Sequence, residues 1–421
     1  MIEPNAVVDV VEIVTGAVVG IGTVILLLGL TKLVYVPLAL YFSSRSIRRA
    51  RNSYPTYLDQ SPTVSIIVPG YNEEAVIENC VRSILATQYP HVEVILVDDG
   101  SSDATPRLMT ELADSDPRVR AILQPNAGKG AALNHGTRES SGDVLIYVDA
   151  DGIFGPDTIE QMLRGFNSPK VGAVCGDDRP VNLNTVQTRL LTVISHVGTG
   201  LVRRALSVLH VLPIVSGNAG AFRREILDVT GPLNQETIGE DLELTWRIHK
   251  AGYRVEFAPR ALVYAESPST IKGLWKQRVR WARGLLQTLK LHAGMVGNPK
   301  YGFFGVYLAF NALNMVVVPI LQMFVLLTIP FLLLHGINTV PQDLLALIAW
   351  LGLGLALGLC VFAMALNNSL KDLWHLWTLP LWPIYSVFVG LTMLVALIQE
   401  IGGSPSKWNK LERSGVVSIS R

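Results

Sequence analysis

The chain has 421 residues, of which 49% are hydrophobic and 16% are charged, with a formal net charge of +1 at pH 7. This composition is too apolar for a wholly soluble protein, and the near-neutral charge argues against a nucleic-acid-binding surface. Cys80, Cys175 and Cys360 are scattered and lack paired spacing, so neither a disulfide framework nor a zinc site is expected.

The first predicted element is an apolar run over 10–42, in which only Glu12 and Lys32 are charged. Because about 20 helical residues cross a hydrocarbon core, this run predicts a membrane span. It lacks a basic leader and a small-residue cleavage site, so it does not resemble a signal peptide. Acidic residues precede it and basic ones follow it, which predicts an outer N-terminus and a cytoplasmic domain. The acidic residues are Glu3, Asp9 and Glu12, and the basic ones are Arg45, Arg48, Arg49 and Arg51.

The residues after this run have the composition of a soluble domain and alternate between two periodicities. Predicted strands lie at 64–68, 94–97, 119–123 and 144–148, and predicted helices at 74–87, 104–113 and 130–139. Strand–helix alternation of this length predicts a mostly parallel sheet with helices on both faces.

Polar residues follow each of the four predicted strands. They are Pro69 to Glu74, Asp98 to Ser101, Asn126 to Lys129, and Asp149-Ala150-Asp151. Ligands bind outside the carboxyl ends of parallel strands, so we expect these segments to meet at one edge. Asp149 and Asp151 with phosphate oxygens would suit Mg²⁺ or Mn²⁺. Taken singly, the segments also fit a turn, a surface lysine or, at Asn72, a helix cap.

Two segments further along have amphipathic spacing, over 185–212 and 271–289, and could lie at the membrane surface. The second segment contains Gln277, Arg280 and Trp281, which project from one face of the predicted helix. Arginine forks onto phosphate oxygens, and an indole can cover the C–H face of a sugar. An amphipathic helix resting on the membrane would explain the same three residues.

Three more apolar runs, at roughly 303–335, 341–366 and 378–399, predict further spans. The expected domains are an N-terminal membrane segment over 1–51, a cytoplasmic domain over 52–300, and C-terminal spans with a basic tail over 301–421. Four spans would put Lys407, Lys410 and Arg413 outside, against the positive-inside rule. Whether there are four or five spans stays open at this point.

Five motifs occur in order: V-P-G-Y-N-E-E, V-D-D-G-S, D-A-D, G-E-D and Q-R-V-R-W. With them, the chain resembles the processive, inverting family-2 glycosyltransferases that make cellulose, chitin, hyaluronan and poly-N-acetylglucosamine. The resemblance runs from about 62 to 284 and includes the flanking spans. Val215-Ser216-Gly217 and the residues around Phe222 are most similar to the poly-N-acetylglucosamine synthases. Gly239 in G-E-D, where those enzymes carry Thr, is closer to the chitin-oligosaccharide and hyaluronan synthases.

The resemblance implies a glycosyltransferase A-type domain inserted between transmembrane helices of the plasma membrane. It implies a UDP-sugar donor, of which UDP-N-acetylglucosamine is the first candidate, and a growing glycan as acceptor. It also implies Mg²⁺ or Mn²⁺ as the cofactor. The expected product is an extracellular, biofilm-type polysaccharide such as poly-N-acetylglucosamine, made in the lipid bilayer with or without a small accessory membrane subunit. Alternatives are a hyaluronan, chitin-oligosaccharide or β-glucan synthase, a non-processive transferase acting on a lipid-linked sugar, and a scaffold or transport subunit with a degenerate domain.

The same resemblance implies roles for individual residues. Asp241 matches the catalytic base, with Glu240 beside it, although Asp241 could also be a carboxylate at a helix start. The implied donor-binding residues are Pro69, Tyr71, Glu73, Asp99, Lys129, Asp149, Gln277 and Arg280. The implied acceptor-binding residues are Trp281, Ser216 and Gly217, and the implied metal ligands are Asp149 and Asp151.

Overall fold

The computed structural model describes residues 4–51, 57–334 and 342–405, together with Arg413, Gly415 and Val417. Glu3, Lys407 and Lys410, which entered the topology prediction, lie outside the described residues.

In the described part of the chain, eight strands form one sheet. They are β1 (Val64–Gly70), β2 (Val92–Asp99), β3 (Val119–Gln124), β4 (Val144–Tyr147), β5 (Ile153–Phe154), β6 (Val171–Pro180), β7 (Gly220–Arg223) and β8 (Arg254–Ala265). Their spatial order is β3-β2-β1-β4-β7-β6-β8-β5. The four predicted strands, β1 to β4, pair in parallel, and β6 is parallel to β8. The predicted sheet is confirmed, and antiparallel β7 and β5 make it mixed.

The α-helices of the described residues are α1 (Pro4–Leu30), α2 (Tyr35–Arg51), α3 (Ile77–Leu85), α4 (Thr105–Ser115), α5 (Lys129–Glu139), α6 (Thr158–Gly165), α7 (Val186–Val197), α8 (Arg204–Val208), α9 (Arg224–Thr230), α10 (Glu240–Lys250), α11 (Ile271–Leu291), α12 (Gly302–Ala312), α13 (Val318–Leu334), α14 (Gln342–Leu366) and α15 (Trp382–Ile401). Helices α3, α4 and α5 connect the parallel strands, because such strands cannot be joined by a tight turn.

Helices cover both faces of the sheet, as predicted. Successive residues of β1 point to opposite sides. Ile66 packs into the cluster that holds Ile77 of α3 and Met109 of α4. Its neighbour Ile67 belongs to the opposite cluster, with Leu133 of α5. Because the polar loops leave the carboxyl ends of these strands, the two cores hold those loops at one edge.

Three helical stretches of the described residues are long and apolar enough to cross a membrane, by length and composition: Ile13–Arg48, Pro299–Thr328 and Leu370–Ile401. A shorter apolar helix, Trp350–Leu366, lies in the run predicted at 341–366. The stretches overlap the runs predicted at 10–42, 303–335 and 378–399.

All three stretches change helical type just before a proline. The first has a 3₁₀ turn over Thr31–Val34, ahead of Pro37. The second has a π-helical turn over Leu313–Val317, ahead of Pro319. In the third, the 3₁₀ helix over Leu370–Leu381 gives way to α15 ahead of Pro383. A proline ring clashes with the carbonyl four residues earlier and cannot donate to it, so the ladder of hydrogen bonds is rearranged there.

Both predicted amphipathic segments are helical, but their apolar faces pack against other helices. Helix α7 contacts α14 and a 3₁₀ helix over Leu370–Leu381, and it continues through a π-helical turn over Gly198–Arg203 into α8. Helix α11 packs along α15, where Ala282 joins the cluster of Met393 and Ala396. The C-terminal helices are therefore attached directly to the globular part.

Candidate active site

The loops that follow β1 and β2 are tied together by hydrogen bonds. Asn72 Oδ1 accepts from the Ser102 amide at 2.7 Å, and the Asn72 amide donates to Ser101 Oγ at 2.8 Å. Asn72 has a left-handed backbone with φ of 55°, which asparagine tolerates better than most residues. It therefore braces the neighbouring loop and does not cap α3, which begins at Ile77.

Three predicted donor-binding residues lie in this region. Pro69 is the penultimate residue of β1, and Tyr71, which directly follows the strand, is half-buried. Glu73 is buried, and its amide donates to Thr105 Oγ1 at 2.7 Å. The residues that follow β1 and β2 thus form a hydrogen-bonded, polar surface at this edge of the sheet.

Asp99, at the end of β2, holds the loop that leads into α5. Its Oδ1 accepts from Gln124 Nε2 at 2.8 Å and from the Ala127 amide at 2.9 Å. Its Oδ2 accepts from the Gly128 amide at 2.8 Å. Since Lys129 is the first residue of α5, the Asp99 carboxylate fixes the start of the helix that carries this lysine.

Lys129 lies at the centre of the site. Its Nζ is 2.5 Å from Asp149 Oδ1 and 3.7 Å from Glu240 Oε1. Burial lowers the pKa of Lys129, but the carboxylates of Asp149, Glu240 and Asp241 outweigh it and leave the pKa above its usual value. Burial in turn raises the pKa of Glu240, and Lys129 opposes this rise. One buried ammonium group therefore joins the D-A-D and G-E-D motifs.

Asp241 is the second residue of α10, next to Glu240, and faces Gly217. Its Oδ2 accepts a hydrogen bond from the Gly217 amide at 3.1 Å, and its Oδ1 accepts from the Leu242 amide at 2.8 Å. A carboxylate has about four acceptor positions, so room remains for a further donor. Ser216 precedes this contact and is half-buried. Asp241 is thus oriented by the loop before β7 and is not fully enclosed.

The two carboxylates of the D-A-D motif each have a cationic partner. Asp149 pairs with Lys129, and Asp151 Oδ2 lies 3.0 Å from the guanidinium of Arg413. Asp151 Oδ2 also accepts from the Glu266 amide at 2.9 Å. Burial raises the pKa of Asp151, although Arg413 acts against this.

These two carboxylates fit a divalent cation. Asp149 and Asp151 offer only oxygen donors, and each already binds a positive charge. Mg²⁺ is commonly held by one or two carboxylates, with substrate phosphates and water as the remaining ligands. Among the residues that the structure describes, no group of three or more His, Cys, Asp or Glu side chains could hold a metal ion. The donor set therefore suits a cation that shares its coordination with a phosphate ligand.

Helix α11 carries the remaining predicted residues. Arg280 lies close enough to Glu240 to oppose the rise of the pKa of that carboxyl, and Gln277 is half-buried one turn earlier. Trp281 is 49% exposed, and the guanidinium of Arg278 stacks over its ring at 4.4 Å. Arg278 also lies 5.7 Å from the Tyr385 ring of α15. Trp281 therefore presents one indole face at the boundary between the globular part and the C-terminal helices.

The structure brings Lys129, Asp149, Gly217, Glu240 and Asp241 into one group of direct contacts, with Asp99 one loop away. Sequence reasoning missed Arg413, Glu266 and Asn218, whose side-chain oxygen accepts from the Asp149 amide at 3.1 Å. Glu266 directly follows β8, so the strand-end rule would have found it had β8 been predicted. Arg413 had been noted only as part of the basic tail.

Residues 65–231 match the family described as glycosyl transferase family 2. Poly-beta-1,6-N-acetyl-D-glucosamine synthase of Staphylococcus aureus (strain COL) is 32% identical over 246 residues, which are 58% of this chain and 60% of that protein. The Staphylococcus epidermidis synthase is 33% identical over 222 residues, 52% of this chain and 54% of that protein. The alignment thus spans about 60% of the length of the Staphylococcus aureus synthase.

Among solved structures, a mannosyltransferase from Pyrobaculum calidifontis in complex with GDP-Man and Mn²⁺ superposes with a TM-score of 0.61. The match covers 93% of this chain and 100% of that chain, at 20% identity. At this identity the likeness concerns the fold alone.

Proposed function

We propose that this chain, which carries a glycosyl transferase family 2 domain, is an inverting β-glycosyltransferase that extends a polysaccharide at the membrane. The proposed donor is UDP-N-acetylglucosamine, and the proposed product is a poly-N-acetylglucosamine chain. The similarity to the staphylococcal poly-beta-1,6-N-acetyl-D-glucosamine synthases supports this choice of sugar. The contact group around Lys129 is the single observation on which the proposal rests, because it unites an ammonium group with a candidate base.

The proposed donor site lies along the edge formed by the loops after β1, β2 and β4. Pro69, Tyr71 and Glu73 would contact the uridine, with Asp99 beneath the loop that leads to Lys129. Lys129 can turn its ammonium group from Asp149 towards the donor diphosphate. A divalent cation held by Asp149 and Asp151, either Mg²⁺ or Mn²⁺, would act as a Lewis acid on the leaving diphosphate.

Further donors to the diphosphate would come from α11. Gln277 and Arg280 lie one turn apart on the helix face near Glu240. Hydrogen-bond donors fixed before the reaction stabilise charge as it develops on the leaving oxygen. Glu240, which is buried against Lys129, would serve to hold these cationic groups in place.

The proposed base is Asp241. An acceptor hydroxyl attacks the anomeric carbon of the donor sugar, and its proton passes to the free acceptor position of the Asp241 carboxylate. The bond from the anomeric carbon to the diphosphate oxygen breaks, and UDP leaves with the electron pair. Attack from the face opposite UDP inverts the configuration without a covalent enzyme intermediate. The Gly217 and Leu242 amides keep the carboxylate aimed during this step.

The proposed acceptor site is formed by Trp281, Ser216 and Gly217. Trp281 has an exposed indole face next to α15, so a sugar stacked on it would lie beside the candidate spans. Elongation at this position would deliver a growing glycan towards the membrane helices, which is why we propose a processive enzyme that also translocates its product. A small accessory membrane subunit could share this surface.

We propose a plasma-membrane, multi-pass protein with its globular part in the cytoplasm. The three long apolar helices support membrane association. Arg45 and Arg48, directly after the first apolar run, support the cytoplasmic side for the residues that follow.

The test is release of UDP from a panel of UDP-sugars by full-length protein in detergent or nanodiscs, with Mg²⁺ or Mn²⁺. We expect UDP-N-acetylglucosamine to be turned over fastest and to yield a polymer that a β-1,6-hexosaminidase degrades. Sensitivity to chitinase or hyaluronidase instead would select those alternative synthases, and a single added sugar on a lipid would select the non-processive one. No UDP release from any donor would contradict the enzyme itself and favour a scaffold subunit.

A further inference from the structure

Helix α11 touches the candidate catalytic residues on one side and a membrane helix on the other. On the first side, Gly284 meets Gly239, the residue before Glu240. A Cβ atom at either position would lie 3.0 Å from the other's Cα, closer than real side chains normally approach. The G-E-D segment is therefore seated directly on the backbone of α11, where no larger residue fits without a shift.

On the other side, Glu400 near the end of α15 accepts two hydrogen bonds from α11 on a single oxygen. Arg283 Nε donates to Glu400 Oε1 at 2.5 Å, and Gln287 Nε2 donates to the same atom at 3.0 Å. Arg283 is 7% exposed and also donates to the carbonyls of Ser404 and Pro405, at 2.7 and 3.3 Å. The carboxylate thus fixes the rotamers of two α11 side chains, since both converge on it.

One of these side chains continues to the segment that precedes the base. Gln287 Oε1 accepts from Thr237 Oγ1 and from the Ile238 amide, each at 3.1 Å. Thr237 Oγ1 in turn accepts from the Gly239 amide at 3.1 Å. An unbroken path of hydrogen bonds therefore runs from Glu400 through Gln287 to the residue two positions before Asp241.

We infer that Glu400 is a positioning residue for the transferase reaction, acting through Gln287 on the segment that aims Asp241. This inference rests on the proposed function. The chemical reason is that the amide side chain of Gln287 is held from both ends. Its Oε1 accepts from Thr237 and Ile238, and its Nε2 donates to the Glu400 carboxylate. Without the carboxylate at 400, Gln287 loses its charged acceptor on the α15 side, and its hold on the loop before Asp241 weakens.

The expected effect is on turnover and not on donor binding. Most residues proposed to touch the donor lie on other elements, and Gln277 and Arg280 precede Gln287 on α11 by about two turns or more. The base, in contrast, must be aimed at an acceptor hydroxyl. Misplacement of a reacting group by about 1 Å can cost roughly 10²-fold in rate. Glu400→Leu should therefore lower kcat for sugar transfer about 10-fold to 100-fold while KM for the UDP-sugar stays within about threefold.

The experiment compares Glu400→Leu, Glu400→Gln and Gln287→Leu in the full-length membrane protein. Glutamine at 400 retains an oxygen that can accept from both partners, so Glu400→Gln should keep at least half of the wild-type kcat. Gln287→Leu leaves the Arg283–Glu400 pair intact and should match Glu400→Leu in kcat. Equal effects of the two substitutions would exclude loss of the Arg283–Glu400 pair, or unfolding caused by that loss, as the explanation. Phe388→Leu is the control, because Phe388 packs on Trp275 across the same two helices without touching the hydrogen-bond path.

Hydrogen–deuterium exchange supplies a readout that does not need activity. The Ile238 amide should exchange faster in Glu400→Leu and Gln287→Leu than in wild type or Phe388→Leu, since its bond to Gln287 protects it. Unchanged exchange at Ile238, or equal loss of kcat in Glu400→Leu, Glu400→Gln and Phe388→Leu, would overturn the inference. Absence of UDP release in wild type would instead contradict the proposed function, and the exchange data would still decide about Glu400.

Discussion

Glu240 and Asp241 are adjacent at the start of α10 but have different surroundings. Glu240 is 6% exposed and faces Lys129, whereas Asp241 is half-buried and accepts from the Gly217 amide. Negative charge is favoured near the N-terminus of a helix for both residues. Because Asp241 is the more accessible of the two, a substrate hydroxyl can reach it more easily.

Replacement of the proposed base should separate binding from chemistry. Asp241→Asn keeps the shape and an oxygen for the Gly217 amide but does not take up a proton. We expect transfer to fall about 10²-fold to 10⁴-fold, the usual contribution of a positioned base. UDP affinity, measured by calorimetry, should stay within a few-fold of wild type. Residual synthesis together with lost UDP binding would assign Asp241 to the donor site instead.

Arg413 occupies a position beside the proposed metal ligand Asp151. Arg413→Ala removes a positive charge that lies 3.0 Å from Asp151 and would compete with a metal ion there, so Mn²⁺ should bind roughly tenfold tighter. Electron paramagnetic resonance of free Mn²⁺ measures this directly, with the exposed Arg164→Ala as control. Weaker Mn²⁺ binding in Arg413→Ala would mean that the arginine supports the metal site.

Asp151→Ala should weaken UDP binding in the presence of Mg²⁺ or Mn²⁺ and make that binding insensitive to EDTA.

Contacts between helices depend on small residues where backbones meet. In the π-helical turn between α7 and α8, a Cβ atom at Gly200 would lie 2.5 Å from the carbonyl oxygen of Ala363 in α14. The same turn contains Gly198, whose Cβ position has no neighbour within 4 Å. The two glycines therefore differ in what a methyl group would displace, although they are two residues apart.

Gly200→Ala should destabilise the packing of α14 on the globular part. Inserting a methylene-sized group into a packed contact costs about 1–3 kcal/mol. We expect a lower Tm for Gly200→Ala in detergent and no comparable loss for the matched Gly198→Ala. A similar fall in both variants would show that helix geometry, and not contact with Ala363, determines stability there.

The globular part and the candidate membrane-spanning helices also meet through a buried imidazole. His249 of α10 stacks on Phe304 of α12, with ring centroids 3.7 Å apart and an interplanar angle of 14°. Its Nε2 lies 2.9 Å from the Leu212 carbonyl oxygen, to which it donates. Burial lowers the pKa of His249 to about 4. The folded protein therefore holds this ring neutral.

Stability should fall as the pH drops below about 6.5. The unfolded chain protonates His249 near pH 6.5, whereas the folded chain resists protonation until about pH 4. The contribution is thus complete above the unfolded pKa and is lost as pH falls towards the folded one, up to about 3 kcal/mol. His249→Gln retains a donor for Leu212, and its Tm should fall less between pH 7 and pH 5 than that of wild type. Parallel losses would exclude this histidine as the cause.

Much of the fold and of the candidate site could be predicted from local patterns. The predicted strand at 64–68 corresponds to Val64–Gly70, which is buried throughout, as a β-branched run in a parallel sheet should be. The predicted strand at 119–123 corresponds to Val119–Gln124, an edge strand that is only partly buried. Lys129 and Asp149 do meet at one sheet edge, as the strand-end rule requires. Strands β5 to β8 were not predicted: β7 begins with a glycine, and β6 contains Asp177 and Asp178, which interrupt an apolar pattern.

Contacts between distant parts of the chain could not be read from the same patterns. Gln287 and Glu400 are 113 residues apart and meet because α11 packs along α15. Arg413 lies beside Asp151 at the edge of the sheet although the two are far apart in sequence, and no local pattern predicts this pair. Periodicity reports which face of an element is apolar, whereas partners across the fold depend on how all the elements pack. Residue types and strand ends therefore predicted which groups meet in the candidate site, and tertiary packing determined which other groups hold them in place.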